Sequence, residues 1–356
     1  MNSNLRDDLS QRFAAHATIY AGTTPDNASP LYAHLSQYIS TDTDILVLVR
    51  DADRATQVSN LLFGAVHYLL LRGEAHPLRT FYASLTTHPD TPRHAAPAFR
   101  DFCLHHAQAI YDLVTTRRVQ TNEVQRCTGL APAFLHVYQS TYETPLALVE
   151  IGSSAGLHLL WDRYHYTYES IDTFGNPSST VQLHCTLLGT TYPPLQSMPV
   201  IQSRIGIDIN PIDVMDTDAI RWVRALIWPE HRDRAELFAH AVAIAQDDPP
   251  RILAGNAADM LHTAIDTIPA NVPLCIFHSY TLNQCPEQVR DHIIRTIEAL
   301  ASTRPVFRIS LEWYGGQQQP HLELFTYTSQ GSQHDLLAYC ESHGRSLTWL
   351  QQQKAG

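Results

Sequence analysis

The sequence has no Cys-x-x-Cys pair, no long apolar run and few charged side chains, and each shortage removes a class of protein. Its six cysteines, Cys103, Cys127, Cys185, Cys275, Cys285 and Cys340, are scattered. In a chain large enough to bury its own core they are expected to be reduced, packed thiols. The 20 histidines are also dispersed. His105-His106 lie beside Cys103, but no zinc-type spacing accompanies them, so no metal is expected. Apolar runs are short and broken by His, Arg or Gly, and the opening Met1-Asn-Ser-Asn-Leu-Arg-Asp-Asp is polar. Neither a secretory signal nor a membrane span is expected, and cytoplasmic residence follows as the default. Lys and Arg total 24 against 35 acids, a formal charge of -11, which disfavours nucleic acid and anionic membrane as partners. Internal repeats and low-complexity tracts are missing as well.

What is present is ordinary globular composition, 44% hydrophobic and 17% charged, over 356 residues. That length exceeds the usual single core, so two domains, or one with a large appendage, are expected. The first 140 residues read mainly as helix. Residues 53–71 and 99–114 carry apolar side chains at near-helical spacing, separated by a loop with Pro89, Pro92 and Pro97. A further helical segment over 120–142 is expected to break near Gly129 and Pro132. Residues 45–49 fit a strand or a buried helical turn equally well. From Pro145 the texture changes. Short apolar strands are expected at 146–151, 205–209, 251–253, 274–278 and 306–311, with helices at 218–227, 232–245 and 287–301 between some of them. This is the rhythm of an α/β domain with a largely parallel sheet. A strand over 322–328, a helix around 333–341 and a last segment at 346–350 follow. Residues 166–199, rich in Ser, Thr, Pro and Gly, read as an insertion containing a hairpin. The expected domains are thus 1–140, helical and placed to cover a pocket, and 141–356.

The chemistry centres on Leu146-Ala-Leu-Val-Glu-Ile-Gly-Ser-Ser-Ala-Gly156. An apolar strand ends in an acid, and a glycine-bearing turn leads into a helical pattern, the grammar of a nucleotide or cofactor cradle. A dinucleotide fingerprint needs glycine at 152, 154 and 157, but Ser154 and Leu157 stand at the last two. Ser154 obstructs the close approach of a pyrophosphate. Asp208, in Ile205-Gly-Ile-Asp208, ends the next apolar strand and can accept two ribose hydroxyls, or cap a turn as Asp213 also can. It lies more than twice the usual 20 or so residues beyond the loop, which requires 166–199 to be an excursion. Asp172 is nearer but follows no apolar strand. A third loop offers Asn256 and Asp259 to an adenine amino group, with Asp259 alternatively capping a helix. After the fourth strand His278 and Tyr280 can act as a base or orient an acceptor, or pack under the loop. Glu312, beside Trp313, is another pocket candidate.

Glu150-x-Gly152-x-x-x-Gly156 resembles motif I of the class I S-adenosylmethionine-dependent methyltransferases. The resemblance implies a Rossmann-like, methyltransferase-type three-layer α/β sandwich behind the helical N-terminal domain. It implies S-adenosylmethionine as cofactor, held by Glu150, Gly152, Ser153, Ser154, Gly156, Asp208 and either Asn256 or Asp259. No Asn/Asp-Pro-Pro-Tyr/Phe run of the nucleic-acid amino-methyltransferases occurs. More closely, Gln120-Thr-Asn-Glu-Val124, Glu150–Leu157, Leu160-Trp-Asp-Arg-Tyr164, Gly206-Ile-Asp-Ile-Asn-Pro-Ile-Asp213 and Ile227-Trp-Pro-Glu230 together resemble the bacterial DUF2332 family. His158 stands where that pattern expects asparagine, and Gly255-Asn256 where Gly-Asp is frequent. Glu123 can enter the pocket and Asn122 order it, or Thr121 or Asn122 can cap the helix that follows. Asp162-Arg163 reads as an ion pair and 228–230 as a helix end. The expected activity is methyl transfer to an unidentified small-molecule acceptor, the alternative a noncatalytic module that binds a metabolite or a protein.

Overall fold

A computed structural model describes residues 1, 3–52, 57–169, 171–195 and 198–351. The chain divides into two compact units, Met1–Thr121 with Met215–Glu236, and Asn122–Val214 with Leu237–Gly356. Among the described residues no helix is long and apolar enough to cross a membrane.

The first unit is helical. Its helices are Ser3–Ala21, Pro30–Ile39, Thr43–Leu48, Val58–Leu71, Ala96–His105, Ala107–Thr116 and Thr217–Ala225. Val58–Leu71 is buried almost throughout, which makes it the central element. The stretch 45–49 resolves as a helical turn, because Asp42 caps it by accepting from the amides of Asp44 and Ile45. The pattern over 99–114 is two helices hinged at His106. Residues 53–56, the start of another expected helix, lie outside the described residues. Tyr32 and Phe63 stack with centroids 4.1 Å apart in the core, and Trp222 and Ala225 pack into the same cluster. Glu230 accepts from the Ser29 hydroxyl (2.7 Å) and the Leu31 amide (3.0 Å), so it anchors the start of the Pro30–Ile39 helix.

The second unit is built on one sheet. Its strands are β1 Leu146–Ile151, β2 His165–Tyr168, β3 Asp172–Gly175, β4 Gln182–Leu187, β5 Ile201–Asp208, β6 Arg251–Ala254, β7 Leu274–Ser279, β8 Val306–Glu312, β9 His321–Thr328, β10 Gly331–Cys340 and β11 Ser346–Trp349. They form an 11-stranded mixed sheet in the order β3-β2-β4-β11-β10-β9-β8-β7-β1-β5-β6. Strands β6, β5, β1, β7 and β8 are mutually parallel. Beyond β8 the pairing turns antiparallel through β9, β10 and β11. The sheet is therefore less parallel than expected. Ala147, Val149 and Ile151 of β1 pack with residues of the helices Ala257–Ile265 and Glu287–Ala299. Phe277 of β7 meets Phe134, from the helix Cys127–Ser140, edge to face at 5.0 Å.

Two expectations change here and a third is extended, since the insertion does hold a hairpin, β2 with β3. Of residues 333–341, all but the last belong to strand β10, and none is helical. A register shift between Leu336 and Ala338 breaks the two-residue alternation, and the resulting apolar spacing imitates a helix. The insertion contributes β2, β3 and β4, which pair onto the far edge of the same sheet. Helix Cys127–Ser140 runs through Pro132 unbroken. Proline has no N–H for the carbonyl of Thr128, and the Tyr168 hydroxyl donates to that oxygen instead, at 2.7 Å.

Candidate functional site

Glu150 is set by its strand. β1 is buried along its whole length between β5 and β7, and Glu150 is 1% exposed. Its Oε1 lies 2.9 Å from Nδ1 of His158, whose Nε2 lies 2.9 Å from the Glu123 carbonyl oxygen. Burial pushes the Glu150 carboxyl above its ordinary range, against the pull of His158. Its Oε2 has no partner. The Glu123 carboxylate is also buried and sits 3.2 Å from His343 Nδ1. A short 3-10 turn, Val124–Arg126, comes before the Cys127–Ser140 helix, so neither Thr121 nor Asn122 caps it. Asn122 donates to the Ser153 carbonyl at 3.4 Å.

The glycine loop is packed by the protein itself. Gly152 has φ +75, and a Cβ there would lie 2.2 Å from the Thr281 hydroxyl. A Cβ on Gly156 (φ +72) would meet Pro250, and one on Gly206 would meet the Ser153 hydroxyl at 2.3 Å. Ser154 holds a left-handed φ of +53 without being glycine. The Asp208 carboxylate fixes it there, accepting from the Ser154 amide (2.8 Å) through one oxygen and from the Asn210 amide (2.7 Å) through the other. In the third loop Asn256 is the helix cap, accepting from the Ala258 amide at 2.9 Å. Asp259 stands exposed in the first turn.

His278, next to last in β7, and Glu312, last in β8, meet at 2.6 Å, both 0% exposed. Glu312 also accepts from the amides of Thr281, Leu282 and Asn283. Arg308 completes the network, with Nη1 3.2 Å from His278 Nε2, Nε donating to the Tyr327 hydroxyl, and its cation 3.7 Å from the Phe325 ring. Burial lowers the pKa of His278 in spite of Glu312. These groups lie beneath the turn and hold it. Tyr280, by contrast, is half-buried, in a left-handed conformation (φ +52), with the Arg126 cation 3.8 Å from its ring centroid. Asp162 takes a bidentate contact from Arg204, and Arg163 pairs with Asp248, so the two neighbours do not pair with each other.

The family model described as an uncharacterized protein conserved in bacteria, DUF2332, matches residues 14–349. The chain belongs to the DUF2332 family. No curated protein matches it. The DUF2332 match takes in both units, including every site residue named above.

In this DUF2332 chain the structure brings Glu123, Glu150, Ser153, Ser154 and Asp208 together around the end of β1, and His278, Tyr280 and Glu312 around the ends of β7 and β8. Close packing of Thr281 on Gly152 joins the two groups. Sequence reasoning missed Thr281, Arg126 and Arg308. Only Arg308 carries a signal, as a lone charge inside the apolar run Val306-Phe-Arg-Ile-Ser-Leu311. A groove of about 240 Å³ lies alongside, lined in part by Trp313, Tyr339, Glu341 and Ser342. Among the described residues no His, Cys, Asp and Glu cluster of metal-holding form occurs.

Proposed function

We propose that this DUF2332 protein binds S-adenosylmethionine in its sheet-bearing unit and transfers the methyl group to a small molecule. The observation that carries the reading is a group of five unpartnered buried oxygens gathered at the carboxyl ends of β1 and β7, among others elsewhere in the chain. Glu150 Oε2 lies near the end of β1 with Ser153 Oγ and Ser154 Oγ just beyond it, and Ser279 Oγ ends β7 with Asn283 Oδ1 in the turn after it. Counting the parallel strands alone, the sheet order is 3-2-1-4-5, so the chain reverses direction across the sheet between β1 and β7. Ligands of doubly wound sheets bind outside the carboxyl ends of the strands at that reversal. Buried polar atoms left without partners call for one.

The residues fit such a cofactor. Glu150 Oε2 and the two serine hydroxyls can take hydrogen bonds from its amino-acid end. Asp208 has lone pairs beyond the two used by backbone amides and can take ribose hydroxyls. Asn256 and Asp259 are exposed at the cap and in the first turn of the helix after β6, where the base is expected. When bound, the cofactor supplies an electrophilic methyl group. The chain's part is to align the acceptor. Of Glu123, His278, Tyr280 and Glu312, Tyr280 is the one that is only half-buried, and its hydroxyl is a further buried oxygen without a partner, so it is the residue left to meet an acceptor.

Calorimetric titration with S-adenosylmethionine and S-adenosylhomocysteine tests this. Saturable binding is expected, weakened at least about tenfold in Glu150→Ala, the loss of one buried hydrogen bond to a charged group. No heat from protein shown to be folded, or preferential binding of a dinucleotide, would overturn it. A second reading is binding without turnover, favoured by the complete burial of His278 and Glu312. Cofactor binding with no methyl transfer to a broad acceptor panel is its expected signature.

A further inference from the structure

Two buried histidine–glutamate pairs stand in this unit, and their outer nitrogens face opposite chemistry. His278 Nε2 faces Arg308 Nη1 at 3.2 Å. A guanidinium only donates, so Nε2 is bare and Nδ1 carries the hydrogen given to Glu312. That pair needs no proton beyond the one a neutral imidazole owns. His158 is the reverse. Its Nε2 lies 2.9 Å from the Glu123 carbonyl oxygen, which only accepts, so Nε2 carries the hydrogen. In a neutral imidazole Nδ1 is then a lone pair, and it faces Glu150 Oε1 at 2.9 Å. An ionised carboxylate and a bare nitrogen repel at that distance, and burial to 1% and 5% exposure leaves no solvent to screen them.

We propose that Glu150 and His158 hold one additional proton between them at neutral pH, bound either to Glu150 Oε1 or to His158 Nδ1. In both forms the pair has no net charge, and Glu150 Oε2 is left as an acceptor only. The ligand group that meets this oxygen therefore has to donate. An amine, amide or hydroxyl fits, and a carboxylate or phosphate does not. The surroundings favour retaining the proton. Asp208 on β5 is a negative neighbour, and burial together with Asp208 pushes the Glu150 carboxyl up. The other ionisable groups nearby are already engaged: His343 with Glu123, and Arg204 with Asp162. The Cys127 thiol is held neutral by burial. The inference stands whether or not the chain transfers methyl groups.

Imidazole nitrogen–proton correlation spectra of the full chain, labelled at histidine nitrogens, read the proton directly. The His158 signals are assigned by their loss in His158→Asn and their shift in Glu150→Gln, either variant sufficing if the other does not fold. The expected result at neutral pH is a protonated Nε2, together with a protonated Nδ1 or a protonated-carboxyl infrared band that vanishes in Glu150→Gln. A His158 protonated at Nδ1 alone, with no such band, overturns the proposal. So does a protonated Nε2 beside a bare Nδ1 and an ionised Glu150. Stability gives a second readout. Burial raises the folded affinity of Glu150 for protons, so the contribution of the shared proton is lost as pH rises through the range in which the pair gives it up. The denaturant-measured gap between the parent and Glu150→Gln is expected to shrink there, and a gap constant with pH contradicts the proposal.

Discussion

At the scale of single residues, the site is governed by close approach. Gly152 is glycine for two reasons that act together, its φ of +75 and the Thr281 side chain beside it. Gly152→Ala is expected to lose at least about 2 kcal/mol, from left-handed strain plus the clash. Thr281→Ala in the same chain removes the two nearest atoms but leaves the threonine Cβ position, 2.8 Å away, so recovery should be partial. Urea denaturation of the single and double variants measures this, and full recovery would mean that the backbone conformation costs nothing. Much at this scale was readable in the sequence. The Glu150 and Asp208 strand ends and the need for flexibility at Gly152 and Gly156 follow from residue types next to apolar runs. The partners were not readable. Thr281 lies far along the chain from Gly152, and Asp208 binds the Ser154 amide across a separation of 54 residues. A pattern in one segment carries no information about which atoms of another reach it.

Elements behave differently, because their identity depends on who pairs with them. β7 and β8 end in the His278–Glu312 network, and Glu312 satisfies three backbone amides of the following turn. Glu312→Ala strands those amides and the histidine in a dry site, an expected loss on the order of 3–5 kcal/mol by chemical denaturation. Faster hydrogen exchange confined to residues 281–283 should accompany it, and unchanged protection there would show that the turn holds itself. His278 supplies the pH arm. Its folded pKa is depressed by burial, so its contribution is complete above the ordinary value of about 6.5 and is lost as pH falls below it. That is opposite in sign to Glu150, whose affinity for protons burial raises. A parent-minus-His278→Gln stability difference that grows towards acid pH would contradict it. The same dependence on partners explains the expected helix at 333–341. Its Leu-Leu-Ala run suits either state, and pairing with β9 across a bulge decided for strand. By contrast, β1, β7 and β8 are short, mainly apolar runs buried along their whole length, and such strands announce themselves.

For the whole molecule, the consequential fact is that the helical unit is made from two stretches of chain. Met215–Glu236 returns to it after β5, and this was not visible in a sequence whose texture changes only once, at Pro145. The returning helix is not peripheral to that unit. Trp222 is 4% exposed and donates from its indole to the Arg118 carbonyl at 2.8 Å. His67, buried with its pKa lowered to about 4, is 3.0 Å from the Ala225 carbonyl oxygen. Asp218 takes hydrogen bonds from Tyr68 and Arg117. A fragment ending at Thr121 therefore lacks core side chains and leaves His67 and Tyr68 without those acceptors. Burial of Trp222 and Ala225 is lost from a unit whose net stability is only a few kcal/mol in the ordinary case. Residues 1–121 alone are expected to bind a hydrophobic dye and unfold without a sharp calorimetric transition. The same fragment joined by a flexible linker to residues 215–236 is expected to recover cooperativity. Cooperative unfolding of the short fragment would show that the returning helix merely docks on a finished core. Failure of the linked version would instead place an essential part of that core elsewhere in the chain.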